Sequence, residues 1–389
     1  MRAFADGLAA LLLPIYLTRL GFGAFAIGAI VTATLLGTAL LTLAVGLIAH
    51  RHSRRRLLLA AALLMAATGA GFATVTAFWP LLVIAFAGTI NPTSGDAGVF
   101  LPLEQTVLAE AVEPARRTAL FARYSLVGSL AGALGVLAAS LPDYAAAWLG
   151  WTDIAGMRAT FALYGILGLS TVLLYRPLSP AAAAAHEVPQ APLRQSKKLV
   201  YGLAALFGMD SFGTGFFVQS LLALWLYRTF TISVTTTAAI LFWSGLFSAA
   251  SYLLAAPLAR RIGLVNTMVW THLPSNLFVI LIPFAPNLAI AIGLLLARSA
   301  LSQMDVPTRN SYVMGVVAPE ERPAAASLTA VPKTFAWAAG SLISGYLLAL
   351  SSFGWPLVIG GAVKGIYDIL LLIKFRNVRP PEETDRPAE

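Results

Sequence analysis

Six carboxylates lie inside apolar segments of this sequence, where each can hold a proton or pair with a buried base. They are Asp6, Asp96, Glu104, Asp210, Asp305 and Asp368. A charge at mid-membrane costs about 2.5 to 3.5 kcal/mol on insertion scales, so most must pair, lie near an interface or line a wet cavity. We expect proton coupling at Asp6, Asp210 or Asp305, with structural pairing of the same residues as the alternative.

One apolar segment carries four polar residues on a single helical face. Arg298, Ser302, Asp305 and Arg309 are separated by four, three and four positions, and residues so spaced share a face. Because Pro307 interrupts the last turn of this stripe, the sequence favours a pair between Arg298 and Asp305 over one between Asp305 and Arg309.

An internal repeat relates the two halves of the chain. Asp6 has its counterpart in Asp210, and the series Pro102, Pro114 and Arg117 recurs as Pro307, Pro319 and Arg322, 205 residues later. The same offset places Glu104 opposite Arg309. A carboxylate and a guanidinium at pseudo-symmetric positions predict a charge pair across the interface of two similar bundles. That pair is either a gate that breaks and re-forms during transport or a permanent structural contact.

Other intramembrane bases and aromatic residues are candidates for a substrate cavity. Arg123 and Lys333 can each serve a buried acid or an anionic substrate, and Arg298 joins them as a candidate. Phe216 and Phe217 could line a cavity for an organic solute, with plain packing as the alternative. His272 is expected to be a satisfied interior group and not a ligand.

Catalysis and metal binding are not predicted. The chain has no cysteine, and it lacks the H-E-x-x-H metal motif, the phosphate-binding glycine loop with its lysine, and the G-x-S-x-G nucleophile turn. We therefore expect no enzyme activity, no cofactor and no metal.

Composition predicts an all-α membrane protein. Hydrophobic residues make up 58% of the chain and charged residues 11%, against roughly 25% charged in soluble domains. Apolar runs near the ~20 residues needed to cross a bilayer occur at about 3–20, 26–49, 57–78, 80–112, 117–141, 157–175, 199–227, 234–257, 264–284, 287–317, 323–350 and 355–375. The fourth and tenth runs contain Asn91-Pro92 and Pro307, so we expect both to be kinked or partly unwound.

These twelve helices predict two six-helix bundles related by pseudo-symmetry. The expected divisions are an N-terminal bundle at 1–175, a cytoplasmic linker at 176–198, a C-terminal bundle at 199–375 and a disordered tail at 376–389. Asp6 has only five residues before it, so either the first helix is short or residues precede Met1.

The distribution of basic residues predicts the orientation. Of the 26 Lys and Arg, 18 fall in segments on one side of the predicted membrane and only Arg19, Arg158 and Arg228 on the other. By the positive-inside rule both termini and the central linker are cytoplasmic. The charges sit in short loops and form no continuous basic face, so nucleic acid is not an expected partner.

With these spans, repeats and loops, the chain resembles the major facilitator superfamily. The family pattern G-x-x-x-D-R-x-G-R-[RK] appears as Gly46-Leu47-Ile48-Ala49-His50-Arg51-His52-Ser53-Arg54-Arg55, with His50 and Ser53 in place of the Asp and the second Gly. The resemblance implies that Arg51, Arg54 and Arg55 help to latch the cytoplasmic ends of the bundles, and a solvated basic loop is the alternative.

A second family pattern, the antiporter signature G-x-x-x-G-P-x-x-G-G, is matched only in part. The chain has Gly128, Gly132 and Gly135 but lacks the Pro. Small residues at this spacing also allow close helix packing, which is the simpler interpretation.

The resemblance and the intramembrane carboxylates together predict a proton-coupled secondary transporter that exports a small organic molecule by alternating access. Proton-coupled uptake or exchange of an organic anion is the alternative, and a non-transporting membrane sensor with the same fold is a third possibility. We expect a monomer in the inner (cytoplasmic) membrane of a bacterium, with substrate, protons and the lipid bilayer as its partners.

Overall fold

The computed structural model of the chain describes residues 1–48, 54–93, 100, 104, 114–177, 195–317 and 321–378. Within these ranges the secondary structure is helical, with no strand. The predicted all-α membrane fold is therefore confirmed. Arg51 and Asp96 lie outside the described residues.

Seven helices are described in the first half of the chain. They are α1 Arg2–Arg19, α2 Ala24–Ile48, α3 Arg54–Thr74, α4 Phe78–Ala87, α5 Pro114–Ala138, α6 Leu141–Leu149 and α7 Asp153–Tyr175. Thr152 caps the start of α7, because its hydroxyl accepts a hydrogen bond from the backbone N–H of Ala155 at 3.3 Å and so satisfies one of the free donors of the first turn.

Eight helices are described in the second half. They are α8 Lys197–Gly215, α9 Gln219–Thr229, α10 Val234–Ile262, α11 Leu264–Leu281, α12 Leu288–Leu301, α13 Asp305–Val316, α14 Arg322–Leu350 and α15 Trp355–Phe375, with a 3-10 turn at Ile282–Phe284. The buried carboxylate of Glu321 accepts hydrogen bonds from the backbone N–H groups of Gln195 and Ser196, both at 2.9 Å. This pair of bonds ties the start of α8 to the start of α14.

Nine segments of the described chain are long and apolar enough to cross a membrane. The predicted count of twelve spans is consistent with the positions of the helices, although the fourth span is described only in part.

Three predicted spans are interrupted. The fourth breaks as expected: α4 ends at Ala87, and Asn91 Oδ1 accepts the backbone N–H of Thr93 at 2.9 Å in a non-helical turn. The tenth divides into α12 and α13. Pro307 is only the third residue of α13, where its missing N–H removes no helical hydrogen bond. The seventh span also breaks, between α8 and α9, which the sequence did not predict.

The chain forms two compact units. Unit 1 contains Met1–His186, Phe217–Gly245 and Ser341–Phe353, and unit 2 contains Glu187–Phe216, Leu246–Gly340 and Gly354–Glu389. These units do not follow the two halves of the chain segment by segment. The predicted division into two six-helix bundles with a linker at 176–198 stays a prediction.

Glycine allows the closest helix packing in unit 1. A Cβ added at Gly7 of α1 would collide with the carbonyl oxygen of Gly132 on α5, and one added at Gly135 would collide with the carbonyl oxygen of Phe4. Two of the three glycines of the partial antiporter signature are thus used for packing, as the simpler interpretation predicts.

Unit 2 is organised around α15. This helix packs against α11 and α8, and its buried residues Tyr367, Leu371 and Phe375 join a hydrophobic core that includes Phe207 and Met268. The same three helices also carry four buried acidic or basic side chains, so the apolar core fixes the positions of these polar groups.

Candidate functional site

A group of seven buried polar side chains, which we call the charge cluster, lies in unit 2. Its members are Asp210 on α8, His272 and Asn276 on α11, Asp305 and Arg309 on α13, and Lys364 and Asp368 on α15. None of them is more than 7% exposed. Because unpaired charge is costly in a protein interior, the contacts within the cluster must satisfy these groups.

Asp210 accepts hydrogen bonds from two cations. Lys364 Nζ lies 2.6 Å from Asp210 Oδ1, and Arg309 Nη2 lies 3.2 Å from Oδ2. Lys364 also donates to the hydroxyl of Thr214, one turn further along α8, at 2.7 Å. Arg309 forms a second ion pair with Asp305 on its own helix, and its guanidinium lies 5.0 Å from the centre of the Phe207 ring. These bonds connect α8, α13 and α15.

His272 joins α11 to this network. Its Nδ1 lies 2.9 Å from Asp368 Oδ1, and its Nε2 lies 4.0 Å from Asp210 Oδ1. The side-chain amide of Asn276 donates to the other oxygen of Asp368 at 2.8 Å. His272 is therefore a satisfied interior group, as expected, and both of its ring nitrogens face a carboxylate.

The cluster has one carboxylate more than it has permanent cations. Asp210, Asp305 and Asp368 face Arg309 and Lys364, and His272 is the remaining group that can become positive. Histidine is the side chain that ordinarily changes charge near neutral pH. One added proton would therefore bring the buried charges to three of each sign.

Unit 1 contains a smaller, partly buried group, the amino-terminal cluster of Arg2, Asp6, Glu104, Tyr124 and Tyr175. Arg2 Nη1 lies 3.0 Å from Asp6 Oδ2, and Arg2 Nη2 lies 3.1 Å from Glu104 Oε2. The hydroxyls of Tyr124 and Tyr175 both donate to Glu104, the latter at 2.5 Å. Because both carboxylate oxygens of Glu104 accept hydrogen bonds, this cluster is typical of a structural contact that joins α1, α5 and α7.

The predicted proton-coupling residues are all buried, Asp6 in the amino-terminal cluster and Asp210 and Asp305 in the charge cluster. The preference for Arg298 as the partner of Asp305 is wrong, because Asp305 pairs with Arg309. The reason is that α13 begins at Asp305, so Pro307 lies in its first turn and leaves the four-residue spacing intact. Glu104 and Arg309 each have partners within their own unit, and the bond between them stays a prediction.

The latch residues are described only in part. Arg54 begins α3, and Arg55, the second residue of that helix, is half-buried. The latch role of Arg51, Arg54 and Arg55 stays a prediction.

The cavity candidates lie in varied surroundings. Arg123 is exposed on α5, and Arg298 on α12 and Lys333 on α14 are half-buried. Lys333 Nζ lies 5.9 Å from the centre of the Trp337 ring. Phe216 and Phe217 are buried at the break between α8 and α9. Their role in a substrate cavity stays a prediction.

From the sequence we did not predict Arg2, Tyr124 or Tyr175 as site residues, and we did not connect Lys364 and Asp368 with Asp210. A signal was present, because Arg2 with Asp6, His272 with Asn276, and Lys364 with Asp368 are all four residues apart and share a helical face. Among the described residues, no group of three or more His, Asp or Glu side chains is arranged to hold a metal ion.

Comparisons with known proteins agree on the family and the fold. A family model described as Major Facilitator Superfamily matches residues 1–218 and 200–389. A curated relative, "Uncharacterized membrane protein YJR124C" of Saccharomyces cerevisiae, is 24% identical over 414 residues, which cover 97% of this chain and 92% of the relative.

Three solved structures illustrate the fold. The nucleoside transporter NupG aligns with a TM-score of 0.70 at 15% identity and covers 96% of this chain and 97% of its own. The xylose transporter XylE from E. coli, in a partially occluded inward-open conformation, has a TM-score of 0.72 at 16% identity, with 96% of each chain covered. A bacterial homolog of the human lysosomal transporter Spinster has a TM-score of 0.73 at 13% identity, covering 100% of this chain and 96% of its own. At these identities the likeness shows the fold alone.

Proposed function

The chain belongs to the Major Facilitator Superfamily, and on that premise we propose that it is a proton-coupled secondary transporter that exports a small organic molecule by alternating access. The proposal includes two six-helix bundles, both termini in the cytoplasm, a monomeric state and a place in the inner membrane of a bacterium. The positive-inside distribution of Lys and Arg supports the orientation.

The charge balance of the buried cluster in unit 2 is the observation that carries proton coupling. Three carboxylates there face two permanent cations, and every member is almost fully buried. A single uncompensated charge in such a place is unfavourable, so one state of the cluster favours an added proton. A group that binds a proton from one side of the membrane and releases it to the other is what a proton-coupled transporter requires.

Loss of that proton supplies a reason for conformational change. The cluster joins α8, α11, α13 and α15 through ion pairs and hydrogen bonds. Without the proton, the excess negative charge favours any conformation that admits water or a substrate to the cluster. A ligand shifts a conformational equilibrium only by its different affinity for the two states, and here the proton binds one state better than the other.

Export is the direction we propose, and the partial antiporter signature at Gly128, Gly132 and Gly135 favours it, although close helix packing also accounts for Gly132 and Gly135. A different observation favours the second candidate function, proton-coupled uptake or exchange of an organic anion. Arg309 Nε and the hydroxyl of Tyr367 are buried donors with no hydrogen-bond acceptor among the described residues. An anionic substrate could accept hydrogen bonds from both.

Everted membrane vesicles from an overexpressing strain test the proposed function. The vesicles are energised to an acidic interior, and a pH-sensitive dye reports the effect of organic cations, organic anions, sugars and nucleosides. The last two classes are included because structural neighbours are described as xylose and nucleoside transporters. Export by antiport predicts alkalinisation on addition of a substrate, absent from matched vesicles that lack the protein.

Vesicles of the opposite orientation separate the two candidates. Proton-coupled uptake predicts that an anion added outside drives proton entry there, with no alkalinisation of everted vesicles. Absence of any pH change with every compound in both orientations would contradict proton coupling.

A further inference from the structure

The two ring nitrogens of His272 have different surroundings. Nδ1 lies 2.9 Å from Asp368 Oδ1 and 3.3 Å from Asn276 Nδ2, whereas Nε2 lies 4.0 Å from Asp210 Oδ1. A neutral imidazole carries one N–H and an imidazolium carries two. The short contact with a carboxylate favours a proton on Nδ1, because such a partner fixes the tautomer of a buried histidine. The second proton then belongs to Nε2.

We infer that His272 is the group that takes up and releases the coupled proton, at Nε2 and facing Asp210, while Asp368 and Asn276 hold the ring in place. The inference rests on the proposed function and names the residue that performs its proton step. On release the Nε2–H bond breaks, the electron pair stays on the nitrogen, and the proton passes to water. No oxidation or reduction is involved.

Asp368 and Asn276 are positioning residues in this scheme. The amide of Asn276 donates to Asp368 Oδ2 at 2.8 Å, which directs the other oxygen toward His272 Nδ1. Asn276 and His272 lie four residues apart on α11, so one helical face presents the ring together with the amide that orients its carboxylate.

The groups around His272 come from every helix packed near it. Asp210 from α8 and Asp368 from α15 face the ring directly. Arg309 and Asp305 on α13 and Lys364 on α15 lie one contact further away, in ion pairs that include Asp210. The Tyr367 ring meets the imidazole edge-on, with the ring centres 6.2 Å apart. On α12, which also packs against α11, the charged residue is Arg298. Arg309 and Lys364 are already bonded to carboxylates, so the third carboxylate is left for the histidine.

Release of the proton would alter the contacts of Asp210 directly. The charged imidazole, Lys364 and Arg309 all attract this carboxylate, and loss of one attraction leaves it to the two cations on α15 and α13. The same residue thus connects the proton to the ion pairs that join three helices. Binding or release of the proton would therefore change how the helices of unit 2 pack against each other.

Histidine-selective NMR tests the inference without a known substrate. The chain has four histidines, His50, His52, His186 and His272. Replacing the first three by Gln leaves His272 as the only labelled residue in full-length protein in lipid nanodiscs. We expect spectra recorded in a series of buffers from about pH 5 to about pH 9 to contain two species, the imidazolium and the neutral Nδ1–H tautomer. A single protonation state throughout this interval would overturn the inference.

The tautomer of the neutral His272 ring is a second measurement, and it would not change if Asp368 had a merely structural role. With Asp368→Val in the same background, which removes the acceptor that faces Nδ1, the neutral ring should no longer be held as Nδ1–H and should populate the Nε2–H tautomer. An unchanged Nδ1–H tautomer in that variant would show that Asp368 does not position the ring, and the inference would fail.

Transport by His272→Asn separates this inference from the proposed function. With a compound that moves protons in wild-type vesicles, the variant should retain exchange without a gradient and lose proton-driven accumulation. Retained proton-driven accumulation in the variant would overturn the role of His272 and leave the proposed function standing. If wild-type protein moves no protons while His272 titrates as expected, the proposed function fails and the proton site remains.

Discussion

Lys364→Met is the substitution whose effect follows most directly from the charge cluster. Lys364 Nζ lies 2.6 Å from Asp210 Oδ1, and at an effective dielectric constant of about 20 opposite charges this close attract by about 6 kcal/mol. Desolvation cancels part of that attraction, and removal of one partner from a buried pair costs about 3 to 5 kcal/mol. Because Arg309 still contacts Asp210, we expect the lower end, about 3 kcal/mol of unfolding free energy.

The assay is unfolding of purified protein in mixed micelles by an increasing fraction of denaturing detergent, followed by tryptophan fluorescence. Lys374→Met is the matched control, because Lys374 is exposed in the last turn of the same helix. Its substitution should change the unfolding free energy by less than about 0.5 kcal/mol. A double-mutant cycle with Asp210→Asn should give a coupling energy of about 1 to 3 kcal/mol. Additive effects, or equal stability of the two lysine variants, would refute a buried network centred on Asp210.

Three further substitutions test other parts of the structure by the same unfolding measurement. Glu321→Ala should lower the free energy of unfolding by about 1 to 2 kcal/mol, as for loss of a helix cap, because it leaves two backbone N–H groups at the start of α8 without their acceptor. An unchanged free energy of unfolding would contradict this capping role. Gly135→Ala should destabilise the protein by about 1 to 3 kcal/mol or more, because the added Cβ overpacks against α1. Gly128→Ala is the control and should not destabilise it, because no atom lies within 4 Å of the added Cβ. Equal effects of the two substitutions would argue against the close approach of α1 and α5 at Gly135. Tyr175→Phe removes a donor to Glu104 and should cost about 1.5 to 3 kcal/mol, the usual range for a hydrogen bond to a charged group; a neutral effect would show that Glu104 does not depend on this bond.

Much of the fold could be predicted because a membrane imposes simple rules. The length of an apolar run fixes where a helix can cross, and eleven predicted spans contain described helices over most of their length. The break between α8 and α9 was not predictable in the same way. Gly213 and Gly215 lie just before the break, but glycine is also tolerated inside a helical pattern, and the segment Phe216–Val218 itself is apolar and contains neither Gly nor Pro.

Part of the charge cluster could be named from the sequence, and one pairing was wrong. Asp210, Asp305 and Arg309 were recognised because a charge in an apolar segment is conspicuous by itself. Their partners depend on which helices are neighbours, and sequence spacing within one helix does not report that. Lys364 meets Asp210 across 154 positions of the chain, and His272 meets Asp368 across 96.

The effect of Pro307 depends on its position within a helix. Inside a continuous helix it would break the stripe that includes Asp305 and Arg309, but in the first turn of a new helix it is tolerated. The position of the helix start decided the outcome, and helix starts are not fixed by the apolar pattern.

In the proposed function, substrate movement and proton movement through this protein are linked. The most direct measurement uses purified protein in proteoliposomes with a pH-sensitive dye inside, with gradients of each compound of the panel imposed across the bilayer. We predict that at least one compound gradient drives protons across the membrane, and that His272→Asn abolishes this proton movement while exchange of the compound continues. Net movement of a compound down its gradient through the wild-type protein with no accompanying proton movement would contradict this link.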